Sequence, residues 1–135
     1  MNQNDQNTNT TASTIADLEA RDTAWLEVQN KKDDGPLLFN GRPVRIEVRS
    51  PGTREALSAQ HRQEQANTAK TFAAMRGKPV KETVDDKIAQ SADKLTAVTA
   101  NIDGLPVTAT ELYSNPKLGY ITEQVAKFHG DWANF

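Results

Sequence analysis

The sequence predicts an α+β fold that is mostly α, with an N-terminal β-hairpin followed by three to four helices. Two short segments, 24–29 and 44–49, alternate aliphatic residues with aromatic or polar ones, which is typical of half-buried strands. In the second half of the chain, apolar residues recur at steps of three and four, which indicates amphipathic helices. The 135 residues suit one domain, which we assign to residues 15–135.

The first part of the chain has little to bury. Residues 1–14 are almost entirely Asn, Gln, Thr, Asp and Ser, so we expect a disordered tail. Residues 15–22 fit either a short helical turn or a lead-in strand. Apolar residues make up only 36% of the chain, which predicts a thin core and a protein that tolerates looseness or gains stability from assembly.

The two predicted strands present one apolar face. Turn signals separate them, first in residues 31–36 and then at Asn40-Gly41. Because a hairpin alone is marginally stable in water, its apolar face needs a helix or another subunit. The residues of that face are Ala24, Leu26, Val28, Val44, Ile46 and Val48.

A long polar helix is predicted next. Ser50 is the expected N-cap, with Pro51 at the first helical position, and the helix runs to about Arg76 with Gly77 just beyond it. Its apolar residues are sparse, so we expect it to be mostly solvated or to meet partners through small and polar side chains. Those residues are Leu57, Ala69, Phe72, Ala73 and Met75.

A second helix is predicted from residue 81 to about residue 100, ending at Asp103-Gly104. Its apolar residues fall on one stripe because they follow helical spacing. The stripe consists of Val84, Ile88, Ala92, Leu95, Val98 and Ile102.

The C-terminal segment carries the strongest amphipathic pattern. Thr108 and Glu111 form a capping box for a short helical turn, and Pro116 opens the last helix after Asn115. Since ordering a terminus costs entropy, we expect these terminal aromatic residues to pack against the core or a partner. The helical stripe in segment 118–135 is Leu118, Ile121, Val125, Phe128, Trp132 and Phe135.

Motifs for catalysis are missing from the sequence. The chain has no cysteine, and its two histidines, His61 and His129, have no metal-ligand spacing, so each is expected to be a surface or hydrogen-bonded residue. His129 is predicted near the polar side of the last helix. The carboxylate pairs Asp33-Asp34 and Asp85-Asp86 fit a turn and a helix N-terminus. We therefore expect no enzyme, no catalytic residue, no cofactor and no metal.

Charge gives no general attraction to nucleic acid or membrane, since the net charge is −2. Residues 51–80 hold five basic and two acidic side chains (+3), and residues 81–135 hold five basic and eight acidic (−3), which predicts helix surfaces that attract one another or stay solvated. A basic cluster is diluted by glutamates and lacks aromatic side chains for base stacking. Its members are Arg42, Arg45, Arg49, Arg54 and Arg62. The start of the chain has no signal-peptide pattern, and no apolar run approaches the length of a membrane span.

Four segments in order resemble the tail assembly chaperones of long-tailed (siphovirus-type) phages. They are Asn40-Gly41-Arg42-Pro43-Val44-Arg45-Ile46-Glu47-Val48, Ser50-Pro51-Gly52-Thr53, Asp103-Gly104-Leu105-Pro106 and Glu111-Leu112-Tyr113-Ser114-Asn115-Pro116, followed by a closing helix with Glu-Gln-Val-x-x-Phe and an Asn-Phe ending. Together these segments span most of residues 24–135. The pattern of these proteins leads us to expect a tryptophan after the second helix. This chain departs from the pattern there, because residues 98–102 contain no tryptophan.

The resemblance implies a non-enzymatic assembly factor of the host cytoplasm. Such proteins coat the tape-measure protein, keep it soluble and recruit tail-tube subunits, and they leave the tail, so the chain is not expected in the mature virion. Relatives often exist in a short form and a longer frameshifted form, and this chain resembles the short one. The implied partners are the tape-measure protein, the tail-tube protein through a longer form, and further copies of the chain.

The C-terminal stripe supplies the candidate partner-binding residues. Such a stripe is more often core than binding surface, although the two uses can overlap. The candidates are Leu112, Tyr113, Ile121, Val125, Phe128, Trp132 and Phe135. We expect Leu112, Tyr113, Phe128 and Trp132 to be at least partly buried. Two other functions remain open: a small structural tail subunit retained in the virion, and a nucleic-acid-binding regulatory module.

Overall fold

A three-stranded antiparallel sheet forms one layer of the molecule. The computed structural model describes residues 12–135, so the predicted disordered tail lies outside the described residues except for residues 12–14. The sheet order is β1 (Thr23–Glu27), β4 (Arg45–Arg49) and β5 (Thr99–Asp103), with β4 in the centre. Of the described residues, 49% are helical and 17% are in strands, which confirms a mostly α, α+β fold.

The predicted hairpin is confirmed. β1 pairs with β4 in the register Leu26↔Ile46, which places the predicted apolar faces together. A two-stranded ribbon, β2 (Leu38–Phe39) and β3 (Arg42–Pro43), forms part of the connection. The predicted turn at Asn40 and Gly41 is confirmed, and φ is positive at both residues.

The third strand corrects the predicted second helix. The helix, α2 (Val84–Ala97), starts after Thr83 and ends before residue 98. Residues 99–103 then extend as β5 and pair with β4, with Ile102 opposite Ile46. The prediction was wrong here because Val98 and Ile102 continue the helical spacing of α2. Residues 99–103 extend instead of continuing the helix because the backbone groups at the free edge of β4 need hydrogen-bond partners.

The first helix, α1 (Arg54–Met75), is mostly solvated, as predicted. Its N-cap is Thr53, whose hydroxyl accepts a hydrogen bond from the Ala56 N–H at 3.3 Å. The predicted cap, Ser50, is wrong because residues 51–53 form a turn, in which the Thr53 N–H donates to the Ser50 carbonyl at 3.2 Å, and the helix begins only at Arg54. Gly77 follows the helix with a φ of +75°, as predicted.

Helices α1 and α2 pack as an antiparallel arm through polar contacts. Arg62 pairs with Asp93 at 3.4 Å, and Lys70 pairs with Glu82. Of the two expectations for the charged helix surfaces, these contacts favour attraction over full solvation. In the whole of α1, only Ala56 and Ala59 are buried, so α1 itself contacts the core only near its first two turns.

The C-terminal part contains two further helices, α3 (Ala109–Tyr113) and α4 (Gly119–His129). The predicted capping box of Thr108 and Glu111 is confirmed. The predicted continuous helix to residue 135 is wrong, because α4 ends before Gly130 and a 3₁₀ turn (Trp132–Asn134) follows. Near the start of the described residues, Ala16–Leu18 form a 3₁₀ turn, which was one of two expectations for residues 15–22.

The core lies between the inner face of the sheet and helices α2, α3 and α4. Apolar side chains from β4 meet those from the helices, and the number of fully buried residues is small, as the low apolar content predicted. The largest of them are Ile46, Leu112, Ile121, Val28, Val44, Val48, Val98 and Val125.

Candidate association surface

The structure divides the predicted partner-binding residues into two groups. The buried group belongs to the core and presents no surface to a partner in this conformation; it comprises Leu112, Tyr113, Ile121 and Val125. Phe128 and Phe135 are half-buried, and Trp132 is 58% exposed. The expectation of partial burial is confirmed for Leu112, Tyr113 and Phe128 and is wrong for Trp132.

Trp132 is exposed because the helical rotation is lost at Gly130. The stripe predicted from spacing assumed about 100° of rotation per residue to the end of the chain. The 3₁₀ turn after α4 starts from an extended Asp131, so the indole leaves the face that Ile121 and Val125 share.

The backbone around Trp132 is held in place from both sides. The Arg21 N–H donates to the Phe135 carbonyl oxygen at 2.7 Å, and the Arg21 guanidinium donates to the Asn134 carbonyl at 3.2 Å. The Asn134 side chain donates to the Phe128 carbonyl at 2.9 Å. The rings of Phe128 and Phe135 meet edge to face with centroids 5.6 Å apart. The segment is therefore ordered while the indole stays open.

The indole lies against the turn that precedes α1. A Cβ placed on Gly52 would be 3.3 Å from Trp132 Cη2, so the absence of a side chain at Gly52 provides space for the ring. A shallow groove of about 680 Å³ extends from Gly52 along the start of α1. Leu57 lines it and is 53% exposed. We call Gly52, Arg54, Leu57, His61 and Trp132 the C-terminal surface.

Of the five residues of this surface, the sequence pointed only to Trp132. Gly52, Leu57 and His61 lie far from Trp132 along the chain, and no pattern in the sequence brings them together. The signal that was present is local: an aromatic residue beyond a helix-ending glycine, which marks a side chain outside the helical stripe.

His129 supports the end of α4 from inside. Its ring is buried, and Nδ1 lies 2.7 Å from the Arg49 carbonyl oxygen. Because a carbonyl only accepts, Nδ1 carries the proton in this contact. Burial lowers the pKa of His129, against the opposing effect of the Arg49 hydrogen bond. The histidine is hydrogen-bonded as expected, but its predicted place near the polar side of the helix is wrong.

Most arginines of the predicted basic cluster are paired with carboxylates. Arg42 and Arg45 lie 3.7 Å and 3.1 Å from the Asp103 carboxylate, and Arg45 also lies over the Trp25 ring at 4.6 Å. Arg49 lies 3.6 Å from Glu55. With the Arg62–Asp93 pair, four of the five arginines of the basic cluster contact carboxylates, which weakens the field available for binding phosphates.

The paired carboxylates take the structural positions that the sequence predicted. Asp33 occupies a turn with a φ of +56°. Asp86 accepts a hydrogen bond from the Thr83 N–H at 3.0 Å, which completes the α2 capping box and lowers the pKa of Asp86. Among residues 12–135, no group of three His, Asp or Glu side chains is arranged to hold a metal ion.

A second apolar region lies at the far end of the helical arm. Phe72, Met75, Val80 and Val84 are all exposed there. We call residues 72–84 the arm tip. Beside it, a groove of about 360 Å³ runs between α2 and α4. Val84 lines part of this groove and also belongs to the arm tip.

What these surfaces can do is bury apolar side chains of another molecule. Comparison with known protein families, curated proteins and solved structures finds no match to this chain. No helix in the described part is both long and apolar enough to cross a membrane. The functional inference therefore depends on the two apolar surfaces and on the residue pattern described above.

Proposed function

We propose that this chain is a non-enzymatic phage tail assembly chaperone that binds the tape-measure protein and keeps it soluble in the host cytoplasm. The proposal joins the resemblance in segments 40–48, 50–53, 103–106 and 111–116 to the apolar side chains on the surface. Following the resemblance, recruitment of tail-tube subunits is assigned to a longer frameshifted form, and the chain leaves before the tail is complete.

Trp132 is the observation that carries the proposal. Its backbone is fixed by Arg21, Asn134 and the Phe128–Phe135 contact, yet the indole is 58% exposed. An aromatic side chain whose backbone is already ordered loses little entropy on binding, and tryptophan is enriched among residues that dominate binding energy. Trp132 is therefore the main anchor of the proposed contact.

A long client suits weak individual sites. A tape-measure protein that presents apolar stripes along its length can bind many copies of the chain side by side. Each copy then needs only modest affinity, since neighbouring contacts and local concentration hold the assembly together. The four buried candidates of the stripe contribute by holding α3 and α4 on the sheet.

Co-expression with the tape-measure protein tests the proposal. We expect the chain to raise the soluble fraction of the tape-measure protein and to co-purify with it. Trp132→Ala should weaken co-purification at least about tenfold, as expected for a central aromatic anchor. Trp25→Ala is the matched control, because Trp25 is 41% exposed on the outer face of the sheet, and should retain binding.

Two results would contradict the proposal. The first is a tape-measure protein whose solubility is the same with and without the chain. The second is the chain in purified virions at a stoichiometric abundance by mass spectrometry, which would favour the alternative of a retained structural subunit.

A further inference from the structure

The arm tip has a composition that folding does not require. Past Ala59, every residue of α1 is at least partly exposed, and the arm is held together by polar contacts such as the Gln63 amide to the Gln90 carbonyl at 3.3 Å. Phe72, Met75 and Val80 therefore add nothing to the core. Large apolar side chains that stay exposed within the short stretch of residues 72–84 indicate a contact with another molecule.

Positive charge surrounds these apolar side chains. Arg76, Lys78 and Lys81 lie within the arm tip and make no ion pair with any carboxylate of residues 12–135. The single carboxylate within residues 72–84, Glu82, already binds Lys70 and the Gln90 amide, and these hydrogen bonds lower the pKa of Glu82. Arg76 complements the C-terminus of α1, but this role does not account for the two lysines of the loop.

We propose that the arm tip is a docking surface for an apolar segment of another polypeptide that carries carboxylates beside its apolar face. This inference deepens the proposed function by giving the chemistry of the client. It rests on the proposed function only for identifying the docked segment as part of that client. The apolar side chains of the segment cover Phe72, Met75, Val80 and Val84, and its carboxylates pair with Arg76, Lys78 and Lys81.

The observations favour a polypeptide over other anionic partners. Met75, Val80 and Val84 are aliphatic and offer no ring face for stacking of nucleic-acid bases. Asp85 and Asp86 lie at the start of α2, directly after the arm tip, and would be repelled by a uniformly anionic surface such as a bilayer or a duplex. A short segment avoids them, because it can place its own carboxylates only where the cations lie.

The test uses two synthetic amphipathic helical peptides that share one leucine face. One carries glutamates beside that face and the other carries lysines at the same positions. Fluorescence anisotropy with the full chain should show at least about tenfold tighter binding of the glutamate peptide. Its affinity should fall as salt is added, since the ion pairs are exposed.

Two independent variants place the binding at the arm tip. Phe72→Gln with Met75→Gln removes apolar area and should weaken the glutamate peptide at least about tenfold. Lys78→Glu with Lys81→Glu leaves the helix sequences intact and should reverse the preference between the two peptides. Leu38→Gln is the matched control, because Leu38 lies outside both apolar surfaces and is 55% exposed, against 52% for Phe72.

Several outcomes would overturn the inference. The first is equal affinity for the two peptides, and the second is wild-type peptide binding by both arm-tip variants. The third is binding to anionic phospholipid vesicles or to duplex DNA that is as tight as binding to the glutamate peptide and that the same variants abolish. If the chain keeps the tape-measure protein soluble while the arm-tip variants bind peptide normally, the inference falls and the proposed function stands. If peptide binding follows the arm tip but the tape-measure protein stays insoluble, the proposed function falls and the docking surface stands.

Discussion

At the residue scale, a buried hydroxyl pair connects β5 to the start of the C-terminal region. Thr99 Oγ1 lies 2.8 Å from the Leu95 carbonyl and 2.6 Å from the Tyr113 hydroxyl. The threonine has one proton, which it donates to Leu95, so Tyr113 donates to Thr99. Burial raises the pKa of Tyr113, and the phenol stays protonated as this donation requires.

This donor order predicts unequal costs for two small changes. Tyr113→Phe removes one hydrogen bond and should lower the free energy of unfolding by about 1 kcal/mol. Thr99→Val leaves the Tyr113 hydroxyl and the Leu95 carbonyl unpaired in the core, so it should cost about 2–3 kcal/mol. Urea denaturation of both variants measures the difference, and equal costs would contradict the assigned order.

His129 predicts a loss of stability in mild acid. The unfolded chain takes up its proton near an ordinary pKa of about 6.5, whereas burial lowers the pKa of His129 in the folded chain. The stabilising contribution of the neutral ring is therefore present above about pH 6.5 and is lost as the pH falls toward the lower folded value.

Thermal melts between about pH 7.5 and pH 5.5 measure this effect, because ordinary carboxylates titrate below that window. His129→Gln keeps a donor for the Arg49 carbonyl and should flatten the pH dependence relative to the wild type. An unchanged slope would show that another group causes the loss. His61→Gln, at an exposed position, is the control.

The place of His129 shows how far residue type can mislead. Ile121, Val125 and His129 are spaced by four, so the backbone positions alone indicate a shared face. The apolar character of Phe128 directed the predicted stripe to the neighbouring position. The structure buries His129 because its Nδ1–H finds the Arg49 carbonyl, a partner that the sequence of α4 does not reveal.

At the element scale, β1 and β4 could be predicted to within about two residues because alternation is a local property. β5 could not, since its Val98 and Ile102 continue the spacing of the helix before it. Whether residues 99–103 extend depends on the open edge of β4, which is a tertiary feature. The Thr108–Glu111 capping box was predictable because both partners lie within four residues.

The turn after β5 predicts a sharp contrast between two glycines. Gly104 has a φ of +96°, and a Cβ there would be 2.7 Å from the Pro43 carbonyl oxygen. Gly104→Ala should therefore lower the free energy of unfolding by about 3 kcal/mol or more, through strain and a backbone clash.

Gly77→Ala is the matched control for this substitution. Gly77 has a φ of +75° but no neighbouring atom within 4 Å of a Cβ, so only the conformational cost of about 1–2 kcal/mol applies. Denaturation curves of the two variants provide the measurement. Equal costs would mean that the approach of Gly104 to the start of β4 is not needed for the sheet.

At the scale of the whole molecule, a small core supports two apolar surfaces at separate places. The C-terminal surface contains Trp132, and the arm tip contains Phe72 and Met75. The sequence singled out Trp132 because the C-terminal stripe is its strongest pattern, but it could not separate core from surface within that stripe. That separation depends on the break at Gly130, and the arm tip depends on how far α1 runs past the core.

The central claim is that the chain acts by covering apolar parts of another polypeptide. Its most direct test is light scattering after purified tape-measure protein is diluted from denaturant into buffer that contains increasing amounts of the chain. We expect the chain to suppress aggregation in proportion to its concentration, with Trp132→Ala needing at least about tenfold more protein for the same effect. Scattering that stays unchanged at a large excess of folded wild-type chain would contradict the claim.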